Sequence, residues 1–237
     1  MCTLTYIPIG SEDFYFTTNR DESPLREALF PKIYQIDSGE VLFPKDKLAE
    51  GTWMMCHEKG FSSCLLNGAF EKHEHKPPYR ISRGVMVLEY GNYSSVKDFI
   101  SNFSFNNIEP FTFIVLNYVN ERVLEEVRWD GVSVHYRKLD TAKSYIWSSS
   151  TLYNKGARSM RQKWFDDWLT KTTVFSKETI LNFHTQTGKD DPINGIVMNR
   201  KEKVKTLCVT QIRKEENVLQ MSYYDFEMKK LTDYPFK

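Results

Sequence analysis

At 237 residues, with 41% hydrophobic and 14% aromatic side chains, the chain carries enough apolar material for a sizeable core. Lys and Arg number 32 against 31 Asp and Glu, a formal charge of +1, which excludes the basic field of an electrostatic nucleic-acid binder. The longest apolar runs fall far short of a membrane span, and Asp13 and Arg20 interrupt any leader-like stretch. Four cysteines (Cys2, Cys56, Cys64 and Cys208) are scattered without a paired framework, so a reducing, cytoplasmic setting is expected.

The chain opens with two β-rich runs, Thr3 to Ile7 and Phe14 to Thr18, joined by a Pro8/Gly10 turn that predicts a hairpin. A polar connection follows from Ser23 to Gly51, with a short strand over Lys32 to Ile36; so long a segment of weak periodicity is often functional. Gly51 to His57 and Phe61 to Asn67 read as a second hairpin turned by Gly60. A charged loop over Phe70 to Arg80 holds His73 and His75, a weak metal-type pair that reads better as surface. Helices are predicted over Val85 to Tyr90 and Ser94 to Phe103, the latter with apolar positions 96, 99, 100 and 103 and a cap at Ser94 or Ser95.

A β meander is expected next, over Phe111 to Tyr118, Arg122 to Trp129, Val132 to Arg137 and Ser144 to Ser148. Lys155 to Leu169 reads as a helix with an aromatic face, and Phe175 opens another that includes His184. Strands over Ile196 to Met198, Val204 to Ile212 and Asn217 to Tyr224 close the chain. Helices do not alternate with single strands, which argues against a dinucleotide-binding unit and for two antiparallel sheets faced by helices. No low-complexity linker divides the sequence, so one domain over residues 1–237 is expected.

Cys2 is the candidate nucleophile, its plain alternative being a small apolar side chain that follows Met1 by chance. Removal of Met1 would place a thiol and a free α-amine on one residue, with pKa values near ~8.5 and ~8. That pair contains both a nucleophile and a base. The first hairpin would return Asn19, Arg20 and Asp21 to the chain start, where Arg20 would lower the thiol pKa and Asp21 would hold the amine. Adjacent residues on an extended strand point to opposite faces, so Arg20 and Asp21 share a site only if the strand bends or ends.

Met1-Cys2-Thr3 followed by Asn19-Arg20-Asp21-Glu22 resembles the family known by that tetrapeptide, the transport and Golgi organisation protein 2 family. Gly51-Thr52-Trp53-Met54, Cys64-Leu65-Leu66-Asn67, Ser82-Arg83-Gly84 and Ser148 to Leu152 extend the resemblance along most of the chain. That family is similar in turn to N-terminal-nucleophile hydrolases with a leading cysteine, such as bile-salt hydrolases and penicillin V acylase. The resemblance implies an α+β, four-layer αββα sandwich. It implies Cys2 as nucleophile, Asp21 orienting the α-amine, Asn19 as a supporting asparagine and Asn67 as an oxyanion donor. Ser149 lies about where the hydrolases carry a further asparagine. Thr18 stands where those hydrolases have an arginine, and Arg20 adjoins Asp21 instead.

Two functions follow as expectations. One is an amidohydrolase acting on a small non-peptide amide without cofactor. The other, also implied by the family, is a trafficking protein tied to secretion and Golgi organisation that binds haem through Cys2 or holds a hydrophobic ligand. A scaffold without chemistry is the third possibility. Each residue also has a plain structural reading: Asp21 as a turn cap, Asn67 as a turn residue before Gly68, Arg83 as a helix-start residue able to hold a carboxylate, and Trp53, Trp147, Trp164 and Trp168 as core.

Overall fold

The computed structural model describes residues 3–216 and 218–236. They form two antiparallel sheets packed face to face, with a helical pair on each outer surface. The first sheet joins β1 (Thr3–Ile9), β2 (Asp13–Glu22), β10 (Tyr145–Ser148), β11 (Asn199–Arg200), β12 (Val204–Glu215), β13 (Val218–Asp225) and β14 (Lys230–Pro235). Its order is β10-β1-β2-β12-β13-β14, with β11 paired to β12. The second sheet runs in chain order through β3 (Ala28–Ile36), β4 (Gly39–Asp46), β5 (Met54–His57), β6 (Phe61–Asn67), β7 (Phe111–Asn117), β8 (Val123–Trp129) and β9 (Val134–Leu139).

Strand alternation sorts the side chains into layers. Leu4 and Tyr6 of β1, and Phe14 and Phe16 of β2, enter the core between the sheets, where they meet Leu42, Trp53, Met54, Ile114 and Trp147. Ile7 and Tyr15 face the other way, onto Phe165 of α3 (Lys155–Lys171) and Ile180 and Phe183 of α4 (Lys177–Gln186). The far side of the second sheet packs against α1 (Arg83–Glu89) and α2 (Val96–Asn102), with Phe99 at the centre of a ring cluster that includes Tyr90, Phe103 and Phe113. Full burial of each such ring contributes about 1.5–3 kcal/mol. This is the expected four-layer αββα arrangement.

The helix ends follow local chemistry. Ser82, Ser95, Asn154 and Ser176 each accept a backbone N–H at the start of a helix, and Ser176 with Thr179 completes a reciprocal capping box. Among the described residues no helix is long and apolar enough to cross a membrane.

Four expectations about elements change. The stretch from Ser23 to Gly51 is mostly the β3–β4 hairpin, concealed in the sequence by Pro31 and Pro44 and by the solvent-facing residues of β3. Pro31 sits where the β3–β4 register shifts, a position that tolerates a missing donor. β10 does not continue the meander: it crosses to the first sheet and pairs with β1, Thr3 opposite Ser148. Ile196 and Met198 are buried but irregular, and the strand there is Asn199–Arg200. β14 was not anticipated, because its polar sequence leaves several positions exposed at a sheet edge.

Candidate active site

One cleft of about 290 Å³ opens at the end of β2, between the β4–β5 connection and the start of α1. Arg20 enters it from β2 and is 3% exposed. Its Nη2 donates to Asp46 Oδ2 at 2.9 Å, its Nη1 donates to the Arg26 carbonyl at 3.0 Å, and its guanidinium lies 4.8 Å from the centroid of Trp53. Asp46 also accepts from Arg26 Nε at 2.8 Å and from the backbone N–H groups of Leu48 and Ala49. Burial alone would raise the Asp46 pKa, but the Ala49 N–H and the two guanidinia outweigh it and hold the carboxyl below its usual range.

The far wall is a second ion-pair group. Arg83, the first residue of α1, donates Nη2 to Glu109 Oε2 at 2.8 Å and Nη1 to the Pro110 carbonyl at 2.9 Å. His73 and His75 both bond to Glu109 Oε1, at 2.9 and 3.2 Å. Burial would raise the Glu109 pKa, yet Arg83 and the two histidines keep it lowered. The histidine pair considered for metal binding is thus part of a carboxylate network. Among the described residues no group of three His, Cys, Asp or Glu is arranged to hold a metal ion.

The walls are joined by backbone contact. Thr52 N–H donates to the Gly84 carbonyl at 3.0 Å, and a Cβ on Gly51 would stand 2.2 Å from the Gly84 carbonyl carbon. Gly51-Thr52-Trp53 and Ser82-Arg83-Gly84, far apart in sequence, therefore form one close crossing that only glycine permits. A similar approach fixes Asn67, which borders the cleft at the end of β6. Ser149 Oγ donates to the Asn67 carbonyl at 2.7 Å, and a Cβ on Gly68 would meet Ser150 Oγ at 2.3 Å. Ser149 is 1% exposed and spends its hydroxyl on this backbone contact.

The opposite face of β2 carries Asn19 and Asp21. β2 continues to Glu22, so alternation holds: Arg20 faces the cleft, while Asp21 turns towards the α3 side. Asp21 Oδ2 accepts from Tyr153 Oη at 2.7 Å, and Oδ1 accepts from Thr206 Oγ1 at 2.6 Å. A β-bulge in β12 between Thr206 and Cys208 sets Thr206 opposite Asp21 and Cys208 opposite Arg20. Fully buried Arg161 of α3 stacks 3.4 Å from the Tyr153 ring centroid and donates Nη1 to Thr3 Oγ1 at 2.6 Å. Its other bonds go to the carbonyls of Asn194 and Gly195.

Asn19 belongs to a buried triad with Thr5 and His184. Asn19 Nδ2 donates to the carbonyls of His184 and Ile196, which leaves Oδ1 as acceptor for His184 Nδ1–H. Nε2 then accepts from Thr5 Oγ1 at 2.7 Å. Burial, with Arg161 nearby, lowers the His184 pKa to about 3, so the ring is neutral. The triad is sealed, each member about 1% exposed or less, and Asn19 ties β2 to α4.

Arg20 and Asn67 thus share the cleft, Asp21 and Asn19 lie behind the sheet, and Ser149 reaches the site through the Asn67 carbonyl. Cys2 and the haem alternative that depends on it lie outside the described residues. Cys56, Cys64 and Cys208 are buried core thiols. Burial pushes the first two up to about 12 and the third to about 11, which removes thiolate reactivity.

Sequence reasoning did not single out Asp46, Glu109, Tyr153, Arg161 or Thr206. Asp46 and Glu109 lay in stretches without periodicity. Arg161 did leave a signal: Ala157, Arg161 and Phe165 are spaced by four on the buried face of α3, and a charge on such a stripe must be paired.

Comparison with solved structures places the same architecture in several hydrolases. A mutant of conjugated bile acid hydrolase from Clostridium perfringens superposes with a TM-score of 0.60 at 12% identity, covering 100% of this chain and 92% of that one. The Caenorhabditis elegans orthologue of N-acylethanolamine-hydrolyzing acid amidase gives 0.51 at 11%, covering 89% and 92%. Penicillin V acylase from Agrobacterium tumefaciens gives 0.50 at 8%, covering 100% and 86%. At these identities the likeness is one of fold, which is of the N-terminal-nucleophile hydrolase type. No curated protein sequence matches the chain. The Transport and Golgi organisation 2 family model matches residues 1–230, and the chain belongs to that family.

Proposed function

We propose that the protein is an amidohydrolase that uses Cys2 as its nucleophile on a small non-peptide amide. The observation that carries this reading is the way Thr3, the residue joined to Cys2, is held. Thr3 pairs with Asn19 on one side and Ser148 on the other, its carbonyl accepts from Thr18 Oγ1 at 2.7 Å, and its hydroxyl accepts from Arg161. Such anchoring suits a reacting group that must be held in one geometry.

With Met1 removed, the α-amine takes the thiol proton while sulfur bonds to the substrate carbonyl carbon. The C–N bond then breaks and the leaving amine carries that proton away. Water adds to the thioester, and the acid departs as the thiol is restored. In this scheme the two faces of β2 divide the work: Asp21, braced by Tyr153 and Thr206 on the α3 side, orients the α-amine, while Arg20 and Asn67 act from the cleft. Asn67 donates to the developing oxyanion. Arg20 favours the thiolate and binds the polar part of the substrate. Asn19 and Ser149 act as positioning residues. The cleft sets Arg20, Arg26 and Arg83 against Glu22, Asp46 and Glu109, a polar lining that suits a hydrogen-bonding substrate better than a bare acyl chain.

The test is intact mass of native protein followed by amine release from a panel of N-acyl amides. The expected result is loss of Met1 and hydrolysis that disappears in Cys2→Ala. Retained Met1, or an unchanged rate in Cys2→Ala, would falsify the reading.

A further inference from the structure

A second cleft, of about 300 Å³, lies over the edge strand β10 between the second sheet and α3. Arg128 of β8, Arg137 of β9 and Arg158 of α3 all line it, and among the described residues no acidic one does. Behind the lining stands Glu126, 3% exposed. Its Oε1 accepts from Arg128 Nε and Arg137 Nε, both at 2.8 Å. Its Oε2 accepts from Arg128 Nη2 and Arg137 Nη2 at 3.0 Å and from Trp147 Nε1 at 2.7 Å. That one carboxylate is saturated by five donors and has no lone pair left for Arg158.

Arg158 Nε is buried without a hydrogen-bond partner among the described residues. Three guanidinia facing one spent carboxylate leave excess positive charge in a partly enclosed space. Arg158 is half-buried and Arg137 is 57% exposed, so the charge is reachable from solvent, and an oxoanion can meet it by charge-assisted hydrogen bonds. Leu66 and Trp147 reach this lining from the core and are nearly closed off, whereas Tyr145 and Ile146 are half-buried and offer apolar surface beside the charge. Ser148, also in the lining, pairs with Thr3 in the β1–β10 register, so this cleft borders the anchored start of β1.

We infer that the cleft bounded by Arg128, Arg137 and Arg158 binds the oxoanion, carboxylate or phosphate ester, of a small ligand whose apolar body rests on Tyr145 and Ile146. Arg158 supplies the unspent donors, and the Glu126 pairings hold the other two guanidinia in place. The catalytic reading above is needed only to call that ligand a substrate; the binding itself stands apart from it.

Binding is measured by titration calorimetry on the Cys2→Ala protein, which separates it from turnover. The probes are phenylbutyrate, phenyl phosphate and the uncharged phenylbutanamide. At least one anion is expected to bind saturably, about tenfold or more tighter than the amide. Its affinity should fall as salt rises from about 20 to about 300 mM. The anion preferred tells a carboxylate ligand from a phosphate ester. Arg158→Gln should weaken that binding about tenfold or more with the urea midpoint unchanged. Absence of saturable binding by either anion, equal binding of the amide, or undiminished binding by Arg158→Gln overturns the inference. Anion binding by a protein whose wild-type form hydrolyses no amide upholds the pocket and removes only the catalytic reading.

Discussion

Tyr153 donates its hydroxyl to Asp21 Oδ2 at 2.7 Å across 132 residues of sequence. The same ring lies under Arg161, whose guanidinium holds Thr3. One aromatic side chain thus links the carboxylate of β2 to the anchor of β1. Tyr153→Phe keeps the ring under Arg161 and removes only the hydroxyl. It should destabilise the fold by about 1–3 kcal/mol, since a buried carboxylate loses one of its donors. In the proposed chemistry it should also lower the amide-hydrolysis kcat more than it raises KM. Urea unfolding and steady-state kinetics on the same preparation check both effects.

His184 makes stability depend on pH in a defined window. Its folded pKa, about 3, lies below the unfolded value of about 6.5. The unfolded chain therefore takes up a proton that the folded one refuses. The stabilisation is complete above about pH 6.5 and is lost progressively as pH falls towards 3, at up to about 1.4 kcal/mol per unit. Urea midpoints at about pH 7.5 and pH 5.5 should show the loss. His184→Gln should flatten that dependence, whatever its own cost in stability.

The glycine crossing between the cleft walls has a sharp steric consequence. Gly51→Ala would set a Cβ 2.2 Å from the Gly84 carbonyl carbon, and backbone cannot yield as a flexible side chain does. A loss of about 2–4 kcal/mol is expected, from the upper part of the common range for overpacking to just beyond it. Gly156→Ala is the contrast: it lies in α3, and the nearest atom to its new Cβ is Asn154 Oδ1 at 3.5 Å. That change should stabilise by about 0.5–1 kcal/mol. Thermal unfolding of the two variants measures the difference.

The described cysteines are all closed off, so thiol modification can report on Cys2. Cys56, Cys64 and Cys208 are buried with raised pKa values. Native protein treated with iodoacetamide should take up one adduct at most, and Cys2→Ala none. In urea all four cysteines of the wild type should react. Rapid native modification of Cys2→Ala would show that a core thiol is reachable and would spoil thiol probes as reports on Cys2.

Much of the sandwich could be read from pattern alone. The β5–β6 hairpin, α2 and α3 carried strong periodicity with turn or cap residues at their ends, and local chemistry was enough to place them. Only Lys32 to Ile36 of β3 was legible as strand, and β14 escaped, because edge strands face solvent and lose the alternation that marks a half-buried strand. β10 was found as a strand but assigned to the wrong sheet. Sheet membership is a long-range pairing, here Tyr145 to Ser148 against Thr3 to Tyr6, which no local window contains.

The same division runs through the site. Strand alternation in the primary structure already required Arg20 and Asp21 to part unless β2 bent, but nothing local showed that Gly51 and Gly84 cross at close range. The partners of the charged site residues could not be foreseen either. Asp46 meets Arg20, Glu109 meets Arg83, and Tyr153 and Thr206 meet Asp21, through contacts between segments distant in the chain or on different sheets. Residue type and spacing fix which groups can donate, accept or ionise. Which of them share a low-dielectric space, and so which charges are met and which, like Arg158, are left over, is set only when the two sheets close on each other.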